Sequence, residues 1–241
     1  MFPLSHVYVT SRMARSEEPK LLLGAVIPDV VEVSFGRVAK KMALRPRDFL
    51  DWVVKNYPEW KNLGLGVMSH CQRSGGADSY SDGKAGFAIK LSKELKPEIE
   101  KRFGWRKNSI IFGHTLVEIA IDLNLTEDNP KLWQVYKKMW QESGVSEAAA
   151  IIAEFSGDST QEVDTEIRKI RTVFRRGSYK LANWVTGFGW WPAMERGRLL
   201  KAIGLVSEIR KIVRNDYLNW LDGAAEGMRR DLILSPRRKN L

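Results

Sequence analysis

Apolar residues recur at intervals of three and four along most of this 241-residue chain, and this spacing limits its fold more than any other feature. Such spacing places one apolar stripe on each of a series of helices, whereas half-buried strands alternate strictly. The segments that carry the pattern are residues 21–31, "PRDFLDWVVKNY", "AGFAIKLSKELKPEIEKRFG", "SIIFGHTLVEIAIDLNL", "PKLWQVYKKMWQES", "TQEVDTEIRKIRTVFRRG" and the long stretch of residues 195–232. We therefore expect an all-α fold, a multi-helix bundle of about seven to nine helices.

The chain shows no internal repeat and no low-complexity segment, so we expect residues 1–241 to form a single all-α domain. The candidate site segments fall in residues 1–125, a helical half follows in 126–235, and a basic tail occupies 236–241. The strongest break in the helical pattern is "TGFGWWPAM", residues 186–194. Its tryptophans favour a buried corner between helices over a flexible loop.

Composition limits the binding partners and the cellular compartment that we expect for this chain. The formal charge of +10 and the isoelectric point near 9.7 favour polyanions, namely nucleic acid, anionic lipid or phosphorylated small molecules. A single cysteine, Cys71, excludes an internal disulfide and a cysteine-rich zinc site. No stretch approaches about 18 uninterrupted apolar residues, and the first apolar run follows a charged stretch, so we expect a cytoplasmic protein.

The chain has only three histidines, and each lies among small or apolar residues. His6 is in "PLSHVYV", His70 ends "LGLGVMSH", and His114 lies in "IIFGHTLVE". A buried imidazole needs a polar partner, and Asp29, inside "LLLGAVIPDVV", has the same need. Taken singly, each histidine is more often a core residue than a ligand. Together with nearby acids, they favour a divalent ion, zinc or alternatively manganese or iron, bound through nitrogen and oxygen.

The stretch "GHTLVEIAID" places His114, Glu118 and Asp122 at successive intervals of four residues. Four residues turn a helix by about 400°, so the three side chains share one face. This polar stripe is either the solvated face of an amphipathic helix or a set of groups that converge on a metal ion. The other histidines and acids of the chain favour the second interpretation.

Other common chemistries lack their motifs. The chain contains no "HD" dipeptide, no "HExxH", no "GxSxG" and no glycine-rich phosphate loop ending in Lys-Ser/Thr. Cys71 follows His70 directly, but adjacent side chains on a helix diverge by about 100°, so this pair is not expected to form a nucleophile and its base.

Three elements, taken in their order along the chain, resemble the zinc-dependent phospholipase C superfamily. These are all-α metal hydrolases that also include single-strand-specific nucleases. The elements are "SHVYVTSRM" followed by "LLLGAVIPDV", "LGVMSH" with the later "ADSY", and "GHTLVE", and they cover about the first half of the chain. The resemblance implies that the metal ligands are Asp29, His70, His114 and Glu118, with His6 and Asp78 as further candidates. Asp122 would be a ligand or a partner that orients His114.

The resemblance also has departures. Members with three zinc ions use more histidines than the three present here, and His70 has Ser74 rather than an acid four residues later. A reduced site with one or two metals is one outcome, and a degenerate fold without catalysis is another.

The sequence hypothesis is a metal-dependent phosphoester hydrolase of the phospholipase C-like phosphodiesterase type. The metal would lower the pKa of a bound water and neutralise phosphate oxygens, while Asp29 or Asp78 takes the proton. The expected substrates are phosphorylated small molecules, lipids or nucleotides. The alternative is a non-catalytic helical protein whose basic surface binds nucleic acid or an anionic membrane.

Overall fold

The computed structural model describes residues 3–104, 107–175 and 196–234. Within these ranges the chain is helical and has no strand, so the all-α prediction is confirmed. The α-helices are α1 (Pro3–Ala14), α2 (Pro19–Val26), α3 (Val30–Val33), α4 (Lys40–Leu44), α5 (Pro46–Asn56), α6 (Lys61–His70), α7 (Asp78–Ser81), α8 (Phe87–Phe103), α9 (Ser109–Asp128), α10 (Pro130–Glu142), α11 (Val145–Ser156), α12 (Thr160–Arg175), α13 (Arg196–Val213) and α14 (Tyr217–Met228). Short 3₁₀ turns cover Ile27–Asp29, Pro58–Trp60 and Gln72–Ser74, and a π-helical turn covers Arg229–Leu234.

The expected number of seven to nine helices is too low. Helices α3, α4 and α7 are about one turn long, which is too short to show an apolar period of 3.6 residues. Residues 195–232, expected as one helix, contain α13 and α14, because the backbone turns where Asp216 N–H donates to the Val213 carbonyl. Two sequence predictions, the aromatic corner at residues 186–194 and the basic tail at 236–241, lie outside the described residues.

Helix α1 lies at the centre of the fold and packs against α2, α9, α10 and α14. Its residues 3–10 are all buried, including polar Ser5, His6 and Thr10. Helix α9 packs against α1, α8, α10 and α13. The first and last thirds of the chain therefore meet on α1 and α9.

Helix α9 lies in the core, and most of its residues are buried. Its faces are mostly apolar outside the stripe of His114, Glu118 and Asp122. Among the described residues it is the one helix long and apolar enough to cross a membrane by length and composition, and 72% of its most apolar window is buried within the fold. A core helix passes the same test, so this finding carries no conclusion about a membrane.

Helices α2 and α6 cross closely at a pair of glycines. A Cβ at Gly24 would clash with the Leu63 carbonyl oxygen, and one at Gly66 would clash with the Leu21 carbonyl oxygen. Two helix backbones approach this closely only where side chains are absent. The crossing brings the C-terminal end of α6, where His70 lies, against the end of α2 and the turn that carries Asp29.

Candidate metal centre

His6 and His70 are neighbours in the buried centre of the fold. His6 is in the second turn of α1 and His70 is the last residue of α6. Their rings stack with centroids 3.9 Å apart and planes 16° from parallel. Two imidazoles that stack this closely repel each other when both are charged, so the arrangement favours at least one neutral ring.

The ring of His70 is oriented by the backbone of α2. Its Nδ1 lies 2.8 Å from the carbonyl oxygen of Ala25, which only accepts, so Nδ1 carries the hydrogen. Its Nε2 lies 3.1 Å from Asp78 Oδ2 and 3.5 Å from Asp29 Oδ1. A backbone acceptor on one ring nitrogen, with acids facing the other, is the arrangement that commonly orients a metal-binding histidine.

His6 is fully buried, yet neither of its ring nitrogens makes a hydrogen bond to any described residue. Its nearest acid is Asp78, whose Oδ1 lies 3.3 Å from Nε2. Burial, followed by the charge of His70, lowers the pKa of His6 to about 3. The ring is therefore neutral at pH 7, and one of its nitrogens has a lone pair for a ligand.

Asp78 faces both rings. Burial tends to raise the pKa of this carboxyl group, but the facing histidines, His70 foremost, lower it well below its usual value. For His70, burial lowers the pKa, while Asp78 and then Asp29 raise it more, so the pKa rises to about 9. We call His6, Asp29, His70 and Asp78 the first cluster. One ligand atom from each of His6, Asp29 and His70 lies within 4.8 Å of the others.

A second cluster consists of Asp82, His114 and Glu118. His114 Nε2 lies 2.9 Å from Asp82 Oδ1 and 3.1 Å from Glu118 Oε1, and one ligand atom from each residue lies within 4.8 Å of the others. Burial lowers the pKa of His114, but Glu118 and Asp82 raise it by more than burial lowers it, and the resulting pKa is about 10. The pKa of Asp82 is lowered in spite of its burial, in part by a hydrogen bond from His114.

Helix α7 joins the two clusters. It begins at Asp78, and Asp82 caps its end, with the Asp82 N–H donating to the Asp78 carbonyl oxygen at 2.8 Å. Residues four apart lie on neighbouring positions of one helical face, so the two acids point into adjoining clusters. The preceding loop folds back onto α6, since the Ala77 N–H donates to the Ser69 carbonyl oxygen at 2.7 Å.

The structure thus brings six of the seven sequence-predicted ligands into two adjoining clusters and places the seventh elsewhere. Asp122 is fully buried, and its carboxylate lies against the first turn of α1. It accepts the backbone N–H groups of Leu4 at 3.0 Å and Ser5 at 2.9 Å, as well as the Ser5 hydroxyl. Burial raises the pKa of Asp122 to about 7, although these hydrogen bonds oppose the rise.

Sequence reasoning missed Asp82 as a member of the site. The signal was present, because Asp82 follows Asp78 by four residues, as Glu118 follows His114. The glycines, serines and aspartates of residues 68–86 predict a loop, or a helix end followed by a loop, and in a loop a spacing of four residues has no structural meaning. The structure shows a helical turn at this point, and the turn gives the spacing its effect.

Cys71 plays no part in this arrangement. Its thiol is buried, and burial raises its pKa, with Asp78 and Asp29 adding to the effect. A thiol that stays protonated is a poor nucleophile.

Comparisons of the chain with protein-family models, with curated proteins and with solved structures found no significant match.

Proposed function

We propose that this protein is a metal-dependent phosphoester hydrolase of the phosphodiesterase type, with its cation-binding site in the two clusters. The observation that carries the proposal is His6, a fully buried neutral imidazole without a hydrogen bond among the described residues, stacked on a second imidazole and facing Asp78. A buried polar group without a partner is costly, and a bound cation would supply the partner.

The ligand set of the two clusters fits a divalent cation. Three imidazoles and four carboxyl groups offer nitrogen and oxygen ligands, the set that zinc, manganese and iron accept, and zinc is our first choice. His70 and His114 each turn Nε2 toward two acids, which places nitrogen and oxygen ligands around one point in each cluster. When bound, such a cation would supply Lewis acidity, which lowers the pKa of water and neutralises phosphate oxygens.

The chain's own residues would divide the remaining work. Asp29 and Asp78 would accept the proton, and the lowered pKa of Asp78 would keep it ionised, as a metal ligand must be, at neutral pH. The hydrogen bond from His70 Nδ1 to the Ala25 carbonyl oxygen fixes the ring whose Nε2 faces both acids. Asp29, Asp78 and His114 are each 18–19% exposed, so both clusters are in contact with solvent.

The net charge supports an anionic substrate. A formal charge of +10 raises the local concentration of phosphodiesters around the protein. Phosphorylated small molecules, lipids and nucleotides share this anionic group, and the choice among them is a matter for a substrate screen.

The experiment that tests the proposal combines metal analysis with a generic phosphodiester assay. We expect protein purified without chelator to contain stoichiometric metal, and we expect it to hydrolyse bis(4-nitrophenyl) phosphate. Removal of the metal should abolish this activity, and added zinc or manganese should restore it. Asp29→Asn should lower the rate at least about 100-fold, a typical effect for a general base, whereas Asp48→Asn on the exposed face of α5 should leave it unchanged.

Two results would contradict the proposal. One is protein without stoichiometric metal whose melting temperature is unchanged by added zinc or manganese. The other is salt-dependent binding to nucleic acid or anionic vesicles with no turnover of any phosphoester, which would favour the non-catalytic alternative.

A further inference from the structure

The Asp122 carboxylate caps a helix other than its own. It lies on α9, four residues after Glu118, yet it accepts the N–H groups of Leu4 and Ser5 at the start of α1. The first N–H groups of any helix lack intrahelical acceptors, and an acceptor supplied by another helix satisfies them. Asp122 therefore fixes both the position and the direction of the first turn of α1.

This first turn leads directly to His6. Ser5, whose N–H and hydroxyl both donate to Asp122, is the residue before His6. One turn later, the Thr10 hydroxyl lies 2.9 Å from the hydroxyl of Ser69, the residue before His70. Helix α1 is thus tied to α9 on one side of His6 and to α6 on the other.

His6 depends on these ties more than an ordinary buried histidine would. Its nearest polar contact is Asp78 Oδ1, 3.3 Å from Nε2, and neither ring nitrogen makes a well-formed hydrogen bond to a described residue. The placement of the α1 backbone, the stacking against His70 and this contact with Asp78 hold the ring in the first cluster. A small shift of the first turn would move Nε2 away from the other members of the first cluster.

We propose that Asp122 is a positioning residue that holds His6 in the first cluster by capping α1. This inference rests on the proposed function, because it assumes that the first cluster binds a cation. It also explains how one face of α9 serves both clusters, with His114 and Glu118 in the second and Asp122 supporting the first.

The test measures cobalt binding by the first cluster alone. The background variant is His114→Ala, which removes the central ligand of the second cluster, and the metal-depleted protein is titrated with Co²⁺ while its visible absorption is recorded. Adding Asp122→Asn should weaken Co²⁺ binding about 10- to 100-fold, the usual effect of losing a partner that orients a ligand. The amides of Leu4 and Ser5 should exchange with solvent faster in the same variant.

The matched control is Asp128→Asn. Asp128 also ties α9 to another part of the chain, through Arg214 at 2.6 Å in the turn before α14 and the Tyr217 hydroxyl in α14, but neither bond is to α1. We expect this variant to lower the melting temperature without changing Co²⁺ affinity. If Asp122→Asn fails to fold, Ser5→Ala removes one of the three hydrogen bonds, and a severalfold loss of affinity is then expected.

The outcomes separate this inference from the proposed function. If the background variant binds Co²⁺ and Asp122→Asn or Ser5→Ala binds it equally well, the positioning role is wrong while the proposed function stands. If Asp128→Asn weakens binding as much as Asp122→Asn, the effect is general destabilisation and the inference is again wrong. If the otherwise unchanged protein binds no Co²⁺ at all, both the proposed function and the inference fail.

Discussion

The two clusters differ in how the chain builds them. The first takes its residues from α1, the turn after α2, the end of α6 and the start of α7, and both of its histidines are buried. The second takes two of its three residues from one face of α9 and the third from the end of α7, and its acid Asp82 is 30% exposed. The packing of separate helices forms the first cluster, whereas the local geometry of one helix largely forms the second.

This difference predicts different behaviour toward a cation. The first cluster is held by the α2–α6 crossing, by the His70–Ala25 hydrogen bond and by the cap on α1, so little reorganisation is needed on binding. Ligands held in place in advance bind more tightly, because less conformational entropy is lost. We therefore expect the first cluster to retain its cation against a chelator longer than the second.

The largest effect should follow from Asp78→Asn. This substitution removes the acid that faces both His6 and His70, and the shape of the side chain is nearly unchanged. We expect the affinity of the first cluster to fall more than about 100-fold, beyond the effect of changing a partner outside the ligand shell. Chelator competition followed by elemental analysis measures the metal that remains bound. The variant should lack the cation that the unchanged protein holds more tightly.

The corresponding variant of the second cluster is His114→Ala. It should remove the weakly held cation and leave the tightly held one. If the two variants lose the same cation, the clusters act as one site and the distinction between them is wrong. If His114→Ala leaves the metal content unchanged, the second cluster is not a metal site.

A smaller effect should follow from Gly66→Ala, which acts on the packing that only the first cluster needs. The added Cβ would clash with the Leu21 carbonyl oxygen and lie 2.8 Å from the Ala25 backbone nitrogen. Overpacking of this kind typically costs about 1–3 kcal/mol, so we expect that loss in the free energy of unfolding by urea denaturation.

The control for Gly66→Ala is Gly223→Ala, because a Cβ at Gly223 on α14 meets no atom within 4 Å. Its stability should be unchanged or raised by up to about 1 kcal/mol. In Gly66→Ala, metal affinity should fall at the first cluster and not at the second. An equal loss at both would show that the crossing supports the whole fold and not the first cluster in particular.

The smallest effect, for a change of one pH unit, should be that of pH on affinity. Without metal, facing acids raise the pKa of His70 to about 9 and of His114 to about 10, so both hold a proton at pH 7 and must lose it to bind a cation. His6, with a pKa near 3, has none to lose. Each cluster should therefore release one proton, and its affinity should rise about tenfold per pH unit below pH 9.

Calorimetry in buffers of different ionisation enthalpy counts these protons. Release of about one proton for each cation agrees with the account. An affinity that does not change between pH 6 and pH 8 would show that these imidazoles are already neutral or are not ligands.

The difference between the two clusters also explains which site residues the sequence could predict. Spacing on one helix identified His114 and Glu118, because local geometry alone brings them together at 3.1 Å. His6, Asp29 and His70 are candidates because polar residues stand in apolar segments and because of the family resemblance, and their distances depend on helix packing that no local pattern contains. Asp122 fitted the same spacing rule, yet packing against α1 gives it a different partner.

For the fold, the sequence could predict the helical class but not the number of helices. The long amphipathic helices, α5, α8, α10 and α12, carry enough turns for their period to be recognised. Helix α7 has four residues, and its position depends on the loop that folds back onto α6. Helix α7, which joins the two clusters, is therefore also the segment that is hardest to predict from the sequence.

Anomalous X-ray diffraction at the zinc edge, from crystals grown with zinc, tests the central claim most directly. We predict one peak among His6, Asp29, His70 and Asp78 and a second, of lower occupancy after brief chelation, among Asp82, His114 and Glu118. No peak at either cluster, or peaks only at surface residues, would contradict the account.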